Sequence, residues 1–111
     1  MAVMFGRMAE KILWTEHAQM KMRHYRLTES RIKRIIRYPT RVEEGILEGA
    51  VAAMQPSGSA KYSEIWAMYV LLKTKDKGKK IKVITAWRYP GRAPERNPIP
   101  SNILKEIRNI L

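Results

Sequence analysis

Three side chains near the start of the chain, His17, Lys21 and His24, stand at i, i+4 and i+7. On a helix that spacing places them on one face. A histidine that titrates near neutrality beside a cation serves as a general acid or base, or contacts a phosphate. Farther along, Arg88 sits within Trp87-Arg88-Tyr89-Pro90-Gly91-Arg92. Its planar guanidinium suits bidentate capture of a phosphate, and a neighbouring Trp or Tyr can stack on an unpaired base. Taken together, His17, Lys21, His24 and Arg88 are the candidate catalytic set, supplying a base or orienting group and cations if the helix face and the strand end converge. Each residue also has a plainer reading. His17, in a first helical turn, can hydrogen-bond a neighbouring strand, and His24 can be an ordinary surface histidine. Trp87 alternates with Ile81, Val83 and Thr85 and reads as core.

Other chemistries find little support. There is no cysteine, and two histidines two turns apart lack the ligand set of a tetrahedral zinc site. Glu43 and Glu44 are adjacent and on a strand would point to opposite faces, a poor start for paired carboxylates. No Gly-rich phosphate loop, nucleotide fingerprint or Ser/His/Asp order is present. No metal and no cofactor are therefore expected.

Charge says more about partners. The chain has 22 Lys and Arg against 10 Asp and Glu, a net +12 on 111 residues. Between Lys21 and Arg41 there are eight basic residues and one acid, Glu29; between Lys73 and Arg92 there are eight more and one acid, Asp76. A solvated face is the usual fate of a charge run, but clusters this unrelieved repel themselves unless a polyanion or acidic partner neutralises them. Arg23, Arg26, Lys33, Arg34, Arg37 and Arg41, with Tyr89 and Arg92 from the second block, are the candidate nucleic-acid-binding residues. RNA or the ribosome is the expected partner, an acidic protein the alternative.

These groups need a scaffold. One domain spanning residues 1–111 is the natural count, with residues 1–11 a loose arm or a short strand. Thr15 and Thr28 look like N-caps. Ala18, Met22 and Tyr25 form one apolar stripe, and Ile32, Ile35 and Ile36 a second. Pro39 ends the second helix, because the residue before a proline is pushed out of the α region. Strands are expected over Arg41–Ile46, Glu48–Gln55, Glu64–Thr74 and Ile81–Tyr89, with a Gly-containing hairpin at Asp76–Lys79. Residues 90–100 hold four prolines and read as an extended loop. Ser101–Leu111 reads as a terminal helix. The order predicts an α+β fold: two N-terminal helices packed on an antiparallel sheet of about four strands, covered on one face by helices, plus a C-terminal helix. The longest apolar run, Ile65–Leu72, is far short of the ~20 residues that span a bilayer. No secretory signal pattern precedes it, so a cytoplasmic protein with no membrane partner is expected.

The run His17-Ala18-x-x-Lys21-Met22, then Leu27-Thr28-Glu29, Ile32, Ile36 and Pro39, resembles the opening of a small bacterial domain family that reads His-Ala-x-x-Arg-Met … Ile-Ser-Glu through two helices. That family is similar to the BrnT toxins and, more remotely, to the RelE/ParE toxin superfamily. Lys80 to Arg88 resembles the BrnT strand Arg-Ile-Ile-Ser-Ala-Arg. The resemblance covers most of Trp14 to Arg92. It implies a RelE/BrnT-like fold and a ribonuclease-like or translation-inhibiting toxin paired with an acidic antitoxin. By position His17 matches the family's leading His, Lys21 matches its Arg, and Arg88 lies beside the strand-end Arg. Trp87 stands where BrnT has Arg, and Tyr25 where the domain family often has Arg. A toxin-like ribonuclease, a non-catalytic RNA- or ribosome-binding domain and a basic protein-interaction module all fit these residues.

Overall fold

Local hydrogen-bond chemistry starts both leading helices where the sequence places them. In the computed structural model, which describes residues 11–44, 49–73, 79–95 and 98–110, helix α1 spans Glu16–Tyr25 and α2 spans Glu29–Arg37. Thr15 Oγ1 accepts from the backbone N–H of Ala18 at 2.9 Å, and Thr28 Oγ1 accepts from Arg31 N–H at 3.1 Å, each satisfying an orphan donor of a first turn. The α1 C-terminus closes with Arg26 in the left-handed region, φ 59°, while Leu27 N–H donates to Met22 O at 2.8 Å. Glycine usually fills that position, and a side chain there costs about 1 kcal/mol.

Among the described residues five strands form one sheet in the order β1-β5-β4-β3-β2. They are β1 Lys11–Trp14, β2 Arg41–Glu44, β3 Ala50–Pro56, β4 Ser63–Lys73 and β5 Lys79–Pro90. β2 to β5 form an antiparallel meander. β1, which the sequence did not anticipate beyond Lys11, the last residue of the expected arm or short strand, pairs in parallel with β5. The fold is α+β, with one strand more than expected. The hairpin glycine at position 78 and the turn residues Gly45 to Glu48 lie outside the described residues, as do residues 1–10.

β1 and β2 are opposite edges, so the α1–α2 hairpin carries the chain across one face. Its apolar stripes (Ala18 and Met22; Ile32, Ile35 and Ile36) pack on Ala53, Ile65, Ala67, Tyr69, Ile81, Val83 and Ala86. The sequence expected helices on this face alone. The second face is covered too, by α3 (Ser101–Ile110) and the Pro-rich segment before it. Ile99, Ile103, Ile107 and Ala93 pack there on Met54, Trp66, Met68, Ile84 and Trp87. The reason is composition: β4 is apolar on both of its faces, and an uncovered apolar face would remain in water.

β5 departs from simple alternation. Met68 pairs with Thr85 but Tyr69 with Val83, so Ile84 is an extra residue, a β-bulge that turns the strand's later side chains over. Ile81 and Val83 therefore face the helical hairpin while Trp87 faces α3. The sequence had all three on one face. Trp87 is nonetheless core, as its plainer reading held. It stacks on its register partner Trp66, centroids 5.8 Å apart and planes 2° from parallel.

The segment after β5 is held by polar clasps. Glu64 is fully buried. Its carboxylate accepts from Tyr62 Oη at 2.7 Å, Trp66 Nε1 at 3.1 Å and Ala93 N–H at 3.0 Å. Arg41 donates to Ala93 O at 2.8 Å and Pro94 O at 2.6 Å. A buried carboxylate with three donors is stable where an unpaired one would not be.

Candidate nucleic-acid interface

α1 lies alongside β5. At its start Thr15 Oγ1 donates toward Val83 O and Ile84 O, both 3.0 Å away. At its end Tyr25 O accepts from Arg88 Nη2 at 3.1 Å. This placement sends the four candidate catalytic residues to three different surroundings.

His17 and Lys21 do share a face, and that face meets α3. Lys21 Nζ lies 3.2 Å from Glu106 Oε1, and His17 Nε2 lies 3.5 Å from the same oxygen. Both side chains are 7% exposed, against 35% for Glu106. The histidine contact is too long for a good hydrogen bond, and its Nε2 has no partner. Burial holds the His17 pKa below its ordinary value; Glu106 pulls it up and Lys21 pushes it down, both less strongly. Lys21 also sits over the Tyr25 ring, 5.3 Å from its centroid. His24 is exposed and meets Tyr25 edge-on, centroids 4.6 Å apart. Arg88 is half-buried under the end of α1, committed to the Tyr25 carbonyl. His17 and Arg88 contact different neighbours, Glu106 and the Tyr25 carbonyl.

The candidate binding residues divide more usefully. Arg23, Arg26, Arg34 and Arg37 are exposed and Lys33 is half-exposed. Among the described residues none of the five forms an ion pair. Arg41 is committed to structure: it pairs with Glu43 at 2.9 Å, donates to two carbonyls of the segment after β5, and stacks over Trp66 at 5.1 Å. Tyr89 is half-buried against the α3-side core. Arg92 is exposed over the Tyr62 ring, 5.7 Å from its centroid.

Arg31 sits where burial and neighbouring cations act together. Its Nη2 donates to Pro56 O at 2.7 Å, while its Nε is buried without a partner. Burial first, then the charges of Arg34 and Arg88, lower its pKa. Cations held this close with no acid between them favour an anion.

Sequence reasoning passed over Tyr38, which caps α2 and is 69% exposed. Its signal was its place directly before Pro39, where a helix has to end. Ser30, Lys33, Arg34, Arg37 and Tyr38 line an open concavity of about 300 Å³ on the outer side of α2. The helix end beneath it is fixed: Tyr38 N–H donates to Arg34 O at 2.9 Å, and Gln55 Nε2 donates to Tyr38 O at 2.8 Å.

Among the described residues no group of three or more His, Asp or Glu is placed to hold a metal ion, and no helix is long and apolar enough to cross a membrane. No family model, curated protein or solved structure matches the chain, so the toxin resemblance rests on the residues quoted for it alone.

Proposed function

We propose that this protein binds RNA, free or within the ribosome, through the basic face made by the end of α1 and the outer side of α2, and that it acts by binding rather than by cleavage. The observation that carries this reading is the set Arg23, Arg26, Lys33, Arg34 and Arg37, exposed wholly or in part and without an acidic partner among the described residues. Lys and Arg side chains of this kind neutralise phosphates and release counterions, which supplies most sequence-independent affinity. Arg26 adds to the case. It keeps a charged side chain at a left-handed position where glycine costs less.

Cleavage has weaker support. A toxin-like ribonuclease would need His17 to reach a ribose hydroxyl, but its side chain is 7% exposed and faces Glu106. Arg88 is spent on a backbone carbonyl. The experiment is a salt titration of RNA affinity by fluorescence anisotropy, comparing the wild type with Arg34→Ala/Arg37→Ala. Two lost phosphate contacts should lower the log–log salt slope by roughly 1.4 on a single strand and 1.8 on a duplex. An unchanged slope, or wild-type affinity equal to that of an unrelated basic protein of matched charge, would overturn the proposal and favour an acidic protein partner.

A further inference from the structure

The concavity on α2 has a composition that a plain phosphate-binding face does not require. Three cations line it, and so does Tyr38, an aromatic ring 69% exposed. Tyr38 belongs to neither apolar cluster of the core. Its backbone, by contrast, is tied on both sides, to Arg34 O through its N–H and to Gln55 through its carbonyl. The following Pro39 restricts it further. The ring is thus presented from a fixed position instead of being a loose surface side chain.

Residues 30, 33, 34 and 37 fall on one stripe of the helix, with neighbours three and four apart about 5–6 Å from one another. Arg34 and Arg37 present forked donors, Lys33 a point charge and Ser30 a hydroxyl. A volume of about 300 Å³ is at the small end of ligand sites. Aromatic rings beside cationic grooves are where unpaired bases stack, because every base offers a π-face.

We propose that this concavity is a site for one unpaired nucleotide of single-stranded RNA, its phosphate held by Lys33, Arg34 and Arg37 and its base stacked on Tyr38. This inference rests on the RNA-binding reading above and narrows it to single strands or loops. A duplex keeps its bases stacked inside and can use only the cations.

The test measures binding of a short fluorescein-labelled oligouridine and of an RNA duplex of equal length to the wild type, Tyr38→Ala and Tyr38→Phe. Stacking of one base predicts that Tyr38→Ala weakens the oligouridine by about 5- to 150-fold. Duplex affinity and the salt slope stay at wild-type values, and Tyr38→Phe, which keeps the ring, retains single-strand affinity. The exposed ring makes few packing contacts, so the variant is expected to fold, and an unchanged thermal melt verifies it. Tyr38→Ala without effect, or weakening both RNAs equally, would overturn the nucleotide site while leaving RNA binding standing. Neither RNA binding better than to a charge-matched control would overturn both readings together.

Discussion

Glu64→Ala, set beside Glu64→Gln, tests whether the second layer of the fold is held by a carboxylate. Glu64 is fully buried on β4 and accepts three hydrogen bonds. Two of its donors, Trp66 Nε1 and Ala93 N–H, are buried with it and share Oε1, at 3.1 and 3.0 Å. The third, the Tyr62 hydroxyl on Oε2, belongs to a residue 41% exposed and can turn to water. Alanine orphans the two buried donors at about 1–3 kcal/mol each, offset in part because a charge is no longer buried. A net loss of about 3 kcal/mol follows from those terms. For 111 residues that is a fall in Tm of about 13 °C. Glutamine keeps a carbonyl oxygen for the two buried donors and turns an amide toward Tyr62, so its loss should be about 1 kcal/mol. Thermal and urea unfolding of the three proteins read both numbers. Local release of the segment after β5 would appear as faster amide exchange at Ala93 in the alanine variant alone. Equal losses in the two variants, or a loss under about 0.5 kcal/mol for alanine, would refute the reasoning.

Two further outcomes follow from the helix and strand geometry. His17 is held below its ordinary pKa of 6.5 mainly by burial, so between its folded and unfolded values the unfolded chain binds more protons and stability rises with pH. The contribution of neutral His17 is complete above pH 6.5 and is lost as the pH falls below it; urea midpoints across that range should decline in the wild type and flatten in His17→Gln, and parallel profiles would refute the assignment. Deleting Ile84 closes the bulge in β5 while Val83, Thr85 and Trp87 keep their partners Tyr69, Met68 and Trp66, so the variant should be destabilised by loss of the Ile84 packing on the α3-side core but keep a cooperative melt and near-UV circular dichroism; loss of both would show that the bulge itself is needed to set the register.

Much of the first half of the chain is readable in local terms. Thr15 and Thr28 cap helices because a hydroxyl one residue ahead of a helix meets free N–H groups whatever the surrounding fold. Ile32, Ile35 and Ile36 face the core because their period is that of the helix, and Pro39 stops α2 through its own ring. The basic balance is legible as well, since net charge is a sum over residues and needs no fold. Tertiary structure decided how those charges are used. Arg41 and Arg37 look alike in sequence, yet Arg41 is consumed by Glu43 and two carbonyls some fifty residues away, whereas Arg37 faces solvent. His17 and Lys21 share a helix face as their spacing requires, but Glu106, 85 positions beyond Lys21, claims that face. The bulge at Ile84 reverses Trp87 through a pairing with β4 that no window of β5 contains. What spacing and capping determine is set within a turn or two of chain. Which cations stay free for a ligand depends on neighbours that arrive only when the sheet closes between its two helical layers.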